Sequence, residues 1–539
     1  MQFTRPTARI LFSLMASVAF LALATPAWAE AVAAVAATSE GSVIEWIDGR
    51  FHWIVERMGA VLFYPPFLIE STTGAIDWFP PLFGPRGGEG VPLVVFVLFG
   101  GGLGFTLYNR FINVRGFRHA IEVVKGKYDN PNDAGEISHF QALTSALSAT
   151  VGLGNIAGVA VAVGLGGPGA VFWMLVVAVL GMTSKFVECT LAQMYRQIDS
   201  DGTVHGGPMY YLSIGLGEKG GLFVPLGKVI ALIFAVFCIG GSLGGGNMFQ
   251  ANQAWQQLSG EIPFFADGIG RHVFGIAMAL MVGVVIIGGI QRIGEVTSKI
   301  VPFMCGGYIL VGMLIVLGNL SEVPAAIGAI VSGAFSMEAG VGGFLGVLVT
   351  GVQRAVFSNE AGVGSAAIAH SAARTEHPVR EGIVASLGPF IDTIVVCLMT
   401  AIVVIVTGAW NNPEAGQGVS MTSWAFGSVF PWFPKLLSVA VLLFAYSTMV
   451  SWSYYGEKAT AYLFGRSAGV QLGYRVLFLF FVYLGTITSL KNVIEFSDLM
   501  ILSMAFPNIL GASILAPRVL EALNRYWAQL QAGEFKIYH

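Results

Sequence analysis

The chain has 539 residues, of which only 11% are charged and 55% are hydrophobic. A soluble domain carries roughly a quarter charged residues, so the composition excludes a soluble globular enzyme, a nucleic-acid-binding protein and a disordered chain. It predicts an all-α polytopic membrane protein, and the 70 Gly residues agree, because glycine is common where membrane helices pack closely or break.

Cysteine and histidine usage argues against a zinc site. Cys189, Cys238, Cys305 and Cys397 fall in different apolar stretches, and none forms a CxxC pair or a Cys/His spacing typical of zinc. The 8 His residues are scattered as well. We therefore expect packing cysteines and no cofactor.

The N-terminus resembles a signal peptide. Arg5 and Arg9 precede an apolar run at 10–24, and the segment 27–29 (AWA) offers a cleavage site between small residues. The run is shorter than the roughly 20 residues of a membrane span, which favours cleavage after Ala29 over an uncleaved first helix. Residues 30–90 are then predicted to be extracytoplasmic, with an amphipathic interfacial helix at 43–62 followed by a loop.

Eleven apolar segments follow that are predicted to span the membrane. Lys and Arg concentrate in every second connection, beginning with Arg110, Arg115 and Arg118. By the positive-inside rule, the N-terminus is then extracytoplasmic and the C-terminus cytoplasmic, in a plasma (inner) membrane. The predicted spans are 91–109, 138–164, 169–195, 224–250, 272–290, 295–318, 340–371, 382–408, 435–456, 473–489 and 497–516.

Two of these spans contain glycine-rich interruptions at mid-membrane depth, at 148–158 and 357–365. Irregular backbone survives in a membrane only where it lines a cavity or binds something, because lipid cannot satisfy free N–H and C=O groups. The alternative is that the glycines only allow close helix packing.

The positions of the two interruptions indicate an internal repeat. Each lies in the first helix of a group of five, and an odd number of spans gives the two groups opposite orientations. The sequence therefore predicts a 5+5 inverted-repeat transporter with two discontinuous helices. The predicted regions are an extra first helix with a basic cytoplasmic loop (91–137), the two repeats (138–320 and 321–520) and a cytoplasmic tail (521–539).

Residues around the interruptions resemble a known family. The segments are 138–143 (SHFQAL), 154–160 (GNIAGVA), 166–170 (GGPGA), 206–210 (GGPMY), 356–362 (VFSNEAG) and 452–458 (WSYYGEK). They are similar to the alanine or glycine:cation symporters, also called sodium:alanine symporters, whose fold is similar to the leucine-transporter class. The resemblance covers about 91–515. Leu153 stands where the family often has Thr, and the segment before 91 is not a usual part of the family pattern.

The resemblance implies an Na⁺ site shared by the second and ninth spans. Its ligands would be the carbonyls of Ser148 and Val151 and the hydroxyls of Ser447 and Thr448. The alternative for these two hydroxyls is a hydrogen bond to the preceding helical turn. A second cation site near Thr150 and Asn155 follows by analogy.

The resemblance also implies a substrate site at the two interruptions. The substrate carboxylate would meet amides freed at Gly152, Leu153 and Gly154, and its amine would meet oxygens near Ser358 and Asn359. Asn247 and Gln250 either reach this pocket or hydrogen-bond between helices. Trp452 either closes over the substrate side chain or is a packing residue.

Five charged residues lie within predicted spans and are functional candidates for that reason. Lys185 and Glu188 are three residues apart and can pair on one helix face. We expect the whole set to form gating or structural pairs, or alternatively a proton or cation path: Lys185, Glu188, Arg354, Glu360 and Asp392.

The predicted function is therefore Na⁺-coupled import of a small neutral amino acid, alanine or glycine, by alternating access, and not catalysis. The partners are the amino acid, Na⁺ and the lipid bilayer, without nucleic acid. Alternatives are a proton-coupled carrier, a channel, or an intramembrane hydrolase using Ser365 and His370. The last is disfavoured because residues five apart face different directions on a helix, and no general base is placed for the serine.

Overall fold

The computed structural model describes residues 91–266, 268–287, 289–336 and 343–538, with 49, 52, 56, 59, 67–69 and 76–78 before them. The predicted signal peptide and most of the segment 30–90, including nearly all of its amphipathic helix, lie outside these residues. Within that segment the strands Phe67–Ile69 and Ile76–Trp78 pair antiparallel, where the sequence predicted a loop.

The described chain is built almost entirely of helices, which confirms the all-α membrane class. Eight helices are long and apolar enough to cross a membrane, and a pair bent by 51° makes a ninth span, His139–Thr150 with Gly154–Gly166. The eight are Gly169–Met194, Phe223–Glu261, Gly268–Ile286, Gly289–Gly318, Pro378–Val406, Phe433–Phe464, Ala468–Ile487 and Leu490–Ala532.

Three of these spans are composite. Phe223–Leu243 continues through the π-helical turn Gly244–Met248 into Phe249–Glu261. The second consists of Pro378–Ala385, Leu387–Pro389, the π-helical segment Phe390–Cys397 and Leu398–Val406. The third joins Leu490–Ser503 to Ala505–Ala532.

The remaining elements are short. The helices are Leu93–Tyr108, Ile112–Arg115, Phe117–Val124, Val159–Gly166 (after the π-helical turn Gly154–Gly158), Pro208–Tyr210 (continuing as the π-helical turn Tyr211–Gly215), Val323–Gly333, Gly343–Asn359, Ala366–His370 and Val419–Val429. Single 3-10 turns cover Pro263–Ala266, Ala409–Asn411 and Pro413–Ala415. The strands Gln197–Ile198 and Val204–His205 form a small antiparallel hairpin.

The predicted spans correspond to these helices, although the total of eleven stays a prediction. The first predicted span is the 16-residue helix Leu93–Tyr108, and the seventh is divided into Gly343–Asn359 and Ala366–His370. The fourth was predicted to end near residue 250 but continues to Glu261. Hydropathy misses that extension because its polar side chains are satisfied by neighbouring helices: Gln257 Nε2 donates to Ser423 Oγ and Ser438 Oγ, each at 3.2 Å.

A capping box starts the first broken helix, our name for His139–Thr150 together with Gly154–Gly166. Ser138 Oγ accepts from the Gln141 amide at 3.2 Å, and Gln141 Oε1 accepts from the Ser138 amide at 3.0 Å. These bonds satisfy backbone groups that have no partner within the helix. The local sequence therefore determines where this helix begins.

Both predicted interruptions are real breaks in the backbone. The first broken helix stops at Thr150 and resumes at Gly154. In the second broken helix, our name for Gly343–Asn359 together with Ala366–His370, three residues between the halves have a positive φ: Glu360 (57°), Gly362 (89°) and Gly364 (86°). Glycine adopts this left-handed region without a steric penalty, whereas Glu360 is strained there.

The C-terminal helix returns to the connection after Leu93–Tyr108. Tyr538 N donates to Lys127 O at 3.0 Å, and Tyr526 Oη lies 2.7 Å from His119 Nε2. Burial lowers the pKa of His119 to about 4, so that the ring is neutral in this contact at neutral pH. The tail and the first connection therefore lie on one side of the molecule, in agreement with the prediction that both face the same side of the membrane.

Small residues let the helix Pro378–Ala385 lie directly on Gly169–Met194. A Cβ atom at Gly382 would be 2.0 Å from Thr190 Oγ1 and 2.7 Å from the Phe186 carbonyl oxygen. Gly388, further along the same span, has open space at the corresponding position. Close approach of two backbones over small residues is a common way to pack membrane helices.

This difference predicts the effect of two alanine substitutions on stability. Gly382→Ala forces the two helices apart and should lower the free energy of unfolding by about 1–3 kcal/mol, as overpacking does. Thermal unfolding of the detergent-purified protein measures the change. Gly388→Ala is the matched control, and an equal loss of stability in both variants would contradict this description of the interface.

Candidate functional site

A buried asparagine joins the first broken helix to a third helix, Pro378–Val406. Asn155 Nδ2 donates to Asp392 Oδ1 at 2.6 Å and to the Asp392 main-chain oxygen at 3.1 Å. Its own Oδ1 accepts from the Gly152 amide at 2.9 Å. Asn155 therefore bonds on one side to the first break and on the other to the π-helical segment Phe390–Cys397.

Asp392 is the centre of this network. Ser358 Oγ, on the second broken helix, donates to Asp392 Oδ2 at 3.0 Å, and Thr393 Oγ1 donates to the same atom at 2.7 Å. With Asn155, three neutral donors stabilise the fully buried carboxylate. The sequence predicted Asp392 as part of a gating or structural pair or of a proton or cation path. Its direct partners in the structure include the Asn155 amide and the Ser358 hydroxyl, one from each broken helix.

Asn359 lies in the same region, but both polar atoms of its side chain form hydrogen bonds within the protein. Its Nδ2 donates to Thr393 Oγ1 at 3.0 Å, and its Oδ1 accepts from the Ala361 amide at 2.9 Å. Asn359 thus closes the end of the helical half Gly343–Asn359. Of the two residues predicted near a substrate amine, Ser358 is the one bonded to the central carboxylate.

The residues predicted to hold Na⁺ lie where the first broken helix touches Phe433–Phe464. Thr448 Oγ1 donates to the Ser148 carbonyl oxygen at 2.9 Å, and Ser148 Oγ donates to the Ser447 carbonyl oxygen at 2.8 Å. A Cβ atom at Gly152 would lie 2.3 Å from Thr448 Oγ1, so only glycine permits this approach. Val151, at the C-terminal end of the helical half, is fully buried beside them.

This set of atoms fits a monovalent cation better than a transition metal. Buried hydroxyl and carbonyl oxygens are the donors that broken helices offer to Na⁺. Ser447 Oγ also donates to Phe444 O at 3.0 Å, within its own helix, as the alternative predicted. Thr150 does the same, donating to Ala146 O at 3.2 Å.

Gln250 and Asn247 share one helix but reach different places. Gln250 Oε1 accepts from the Leu153 amide at 3.0 Å, so this side chain reaches the first break. Asn247 Nδ2 donates to the Phe478 carbonyl oxygen at 2.7 Å. For Asn247 the interhelical alternative is therefore the contact that the structure shows.

Trp452 and Gly154 both make close packing contacts. A Cβ atom at Gly246 would lie 2.2 Å from Trp452 Cγ, so the indole packs directly against the π-helical turn Gly244–Met248. A Cβ atom at Gly154 would lie 3.4 Å from Ser358 Cα, so the two broken helices are in contact at this point.

The other predicted charges have partners that the sequence did not suggest. Arg354 forms an ion pair with Asp498, and Glu360 accepts a hydrogen bond from Ser365 Oγ. Lys185 and Glu188 do not form the predicted pair in the described part of the chain. Glu188 Oε1 instead accepts from Asn508 Nδ2 at 2.9 Å.

A set of polar contacts connects the helices and loops at the end of the site nearest the tail. Glu381 accepts from His139, the first residue of the first broken helix, and lies 2.5 Å from Nδ1 of His370, the last residue of the second. Ser365 and His370 therefore bind different carboxylates, which removes the geometric basis of the hydrolase alternative. Arg196 donates to four main-chain oxygens nearby, those of Ala134 (2.8 Å), Ser371 (2.9 Å), Ala373 (2.5 Å) and Thr375 (2.9 Å).

Three residues that contact the candidate site residues were not singled out from the sequence. Thr393, Asp498 and Asn508 each bond directly to a predicted site residue. Asp498 had a usable signal, because it is a charge within a predicted span. Thr393 and Asn508 had none, since an isolated polar side chain in a span is ordinary.

Comparison with known proteins supports the resemblance found from the motifs. The family model described as the sodium:alanine symporter family matches residues 89–539. The sodium/alanine symporter AgcS of Methanococcus maripaludis is 41% identical over 438 residues, which cover 81% of this chain and 94% of that protein. The putative sodium/proton-dependent alanine carrier protein YrbD of Bacillus subtilis is 37% identical over 459 residues, covering 82% and 90%.

A solved structure is also similar, at a lower level. The crystal structure of MhsT in complex with L-phenylalanine aligns with 72% of this chain and 99% of that one, with 15% identity and a TM-score of 0.42, which is too low to establish a shared fold. The family match and the identity to AgcS are sufficient by themselves. This multi-pass membrane protein belongs to the sodium:alanine symporter family.

Proposed function

We propose that the protein imports a small neutral amino acid, alanine or glycine, together with Na⁺, by alternating access across a plasma (inner) membrane. One observation carries the proposal: Asn155 and the contact between Ser148 and Thr448 join the first break to two different helices within a few residues. A change in the backbone conformation of the break would therefore alter both contacts. Family membership supports the cation and the class of substrate.

In this proposal Na⁺ binds between Ser148 and Thr448. The Ser148 and Val151 carbonyl oxygens and the Thr448 and Ser447 hydroxyls supply neutral ligands. The hydrogen bond from Thr448 to Ser148 holds two of these ligands 2.9 Å apart without the ion. The second cation site, near Thr150 and Asn155, has less support, because both side chains already hydrogen-bond within the protein.

The substrate carboxylate would bind the amides at 152–154. Two of these amides are covered by side-chain oxygens, Gly152 N by Asn155 Oδ1 and Leu153 N by Gln250 Oε1. We propose that these oxygens occupy the places of the carboxylate oxygens and move aside for substrate. The amine would bind Ser358 Oγ and Asp392, because a buried carboxylate suits an ammonium group.

The proposed transport cycle uses the two broken helices as the moving elements. We propose that residues 138–320 and 321–520 are the two inverted repeats, with 91–137 as an extra helix and its connection. The N-terminus is extracytoplasmic after signal cleavage, and the tail 521–539 is cytoplasmic. The contacts of Glu381 and Arg196 then seal the cytoplasmic side in the conformation described.

Purified protein in proteoliposomes tests the function directly. An imposed inward Na⁺ gradient should concentrate radiolabelled alanine or glycine with saturation, which neither a channel nor a hydrolase does. Empty liposomes and an equal K⁺ gradient are the controls. Uptake that follows a pH gradient and ignores Na⁺ would replace this proposal with a proton-coupled carrier.

Asn155→Ala should abolish most of the uptake. It removes hydrogen bonds from a buried carboxylate, each worth about 1–3 kcal/mol, so that a loss of tenfold or more is expected. Asn319→Ala is the control. Asn319 directly follows the helix Gly289–Gly318, and its Nδ2 donates to Ile315 O in the last turn of that helix. Normal uptake by a well-folded Asn155→Ala protein would show that the break is not the site.

Thr448→Ala should raise the Na⁺ concentration that gives half-maximal uptake by about tenfold, as expected for a lost ligand worth about 1.4 kcal/mol. Thr448→Ser keeps the hydroxyl and should restore it. Thr460→Ala is the matched control on the same helix, where the hydroxyl only donates to Gly456 O. If Thr448→Ala and Thr460→Ala behave alike, Phe433–Phe464 does not contribute to the cation site.

A further inference from the structure

A second group of buried charges lies beside the second broken helix, separate from Ser148 and Thr448. We call Lys185, Glu188 and Glu360 the carboxylate cluster. Their relative exposures are 2%, 0% and 1%, so that all three are shielded from bulk solvent. Lys185 and Glu188 lie on Gly169–Met194, and Glu360 is the left-handed residue of the second break.

Hydrogen bonds connect the cluster to the second break. Asn508 Nδ2 donates to Glu188 Oε1 at 2.9 Å and to the Gly362 carbonyl oxygen at 2.8 Å. Ser365 Oγ donates to Glu360. Glu188 is therefore linked through Asn508 to the turn of backbone between residues 360 and 365, and Glu360 is part of that turn. Any movement of that turn changes the surroundings of both carboxyl groups.

The charges of the cluster do not balance. With every group ionised, two carboxylates face one ammonium, and the net charge is −1 in a water-free interior. Lys185 forms no direct ion pair with any residue that the structure describes. An uncompensated buried charge costs several kcal/mol, and a protein avoids the cost most simply by binding a proton.

Two unpartnered atoms point to the same conclusion. Glu188 Oε2 is fully buried and receives no hydrogen bond from the described residues. The buried Tyr455 hydroxyl, on Phe433–Phe464, likewise has no partner there, and Tyr455 lies within electrostatic range of Glu360. A buried carboxylate oxygen without a donor costs more free energy when it is ionised than when the carboxyl group is neutral.

The surrounding groups do not supply the missing positive charge. Thiols and phenols are uncharged at neutral pH, Asp392 adds a negative charge, and His370 is already bonded to Glu381. The titratable side chains that face the cluster from the neighbouring elements are Cys189, Tyr211, Cys238, His370, Asp392 and Tyr455.

We propose that Glu188 and Glu360 together bind one proton, in addition to the Na⁺ held between Ser148 and Thr448. The proton neutralises the cluster and belongs to the pair rather than to one residue. It is bound in the arrangement of the second break described above and leaves when that break opens the cluster to water. By linkage, pH then shifts the balance between the conformations of the carrier. Only this effect on transport rests on the proposed function.

Infrared difference spectroscopy of the purified protein detects the proton without any transport. The carbonyl stretch of a protonated carboxyl group is compared between variants from pH about 5 to about 10, the range in which buried glutamates titrate. Glu188→Gln and Glu360→Gln should each remove one protonated carboxyl, because Lys185 then balances the remaining carboxylate. Lys185→Gln should add one, since both carboxyl groups must then be neutral.

Glu295→Gln, at an exposed glutamate, is the matched control and should leave the spectrum unchanged in this region. The proposal is overturned if both Gln variants keep the wild-type band, or if Lys185→Gln does not increase it. These three variants alter charge in opposite directions. A folding defect in one of them therefore still leaves the others to decide.

Transport provides the second readout. Wild-type uptake should fall at alkaline pH as the cluster loses its proton. In Glu360→Gln, Lys185 balances Glu188 without a bound proton, so uptake should persist at alkaline pH with the same Na⁺ dependence. An unchanged alkaline fall in Glu360→Gln would contradict the coupling. If the infrared results are as expected but neither the wild type nor any variant shows Na⁺-driven uptake, only the proposed function is contradicted.

Discussion

The whole arrangement depends on one contact, the hydrogen bonds from Asn155 to Asp392. A membrane interior offers no water to a broken helix or to a carboxylate, so each must find its partners within the protein. Here the two needs are met together: the amide side chain of Asn155 closes the first break and also solvates Asp392. Ser358 adds the second broken helix to the same carboxylate. Both breaks are thus held by a single ionisable group.

The same helices meet again at the end of the molecule near the tail. Glu381 lies three turns before Asp392 on one span, and it bonds to His139 and His370, the outer ends of the two broken helices. Each broken helix is therefore fixed to Pro378–Val406 at two depths, once by an aspartate and once by a glutamate. A carrier that alternates between two open sides needs contacts of this kind, which can be released at one end while the other holds.

The sequence predicted the backbone breaks well, because their cause is local. Glycine at 152, 362 and 364 and the capping box at Ser138 act within a few residues, and the structure has the expected discontinuities. The partner of each charge could not be predicted in this way. Asn155 and Asp392 are 237 positions apart, and nothing in the neighbourhood of either residue identifies the other.

The sequence left two alternatives open for both Asn247 and Gln250, a place in the pocket or a hydrogen bond between helices. The π-helical turn Gly244–Met248 adds a residue and rotates the face that follows, so that the two side chains differ. Gln250, beyond the turn, reaches the break, whereas Asn247, within it, faces Phe478. The proposed Na⁺ ligands came from the family resemblance and not from spacing, because hydroxyl and carbonyl groups form no sequence pattern that identifies them alone.

Arg196 holds the backbone path at this end of the protein. Its guanidinium is bonded to carbonyl oxygens, which every residue possesses, and not to the side chains at 134, 371, 373 and 375. The arginine itself has no substitute in this role, since a lysine ammonium lacks the planar fork that reaches several acceptors. One side chain and the backbone shape that it recognises thus hold this end of the protein together.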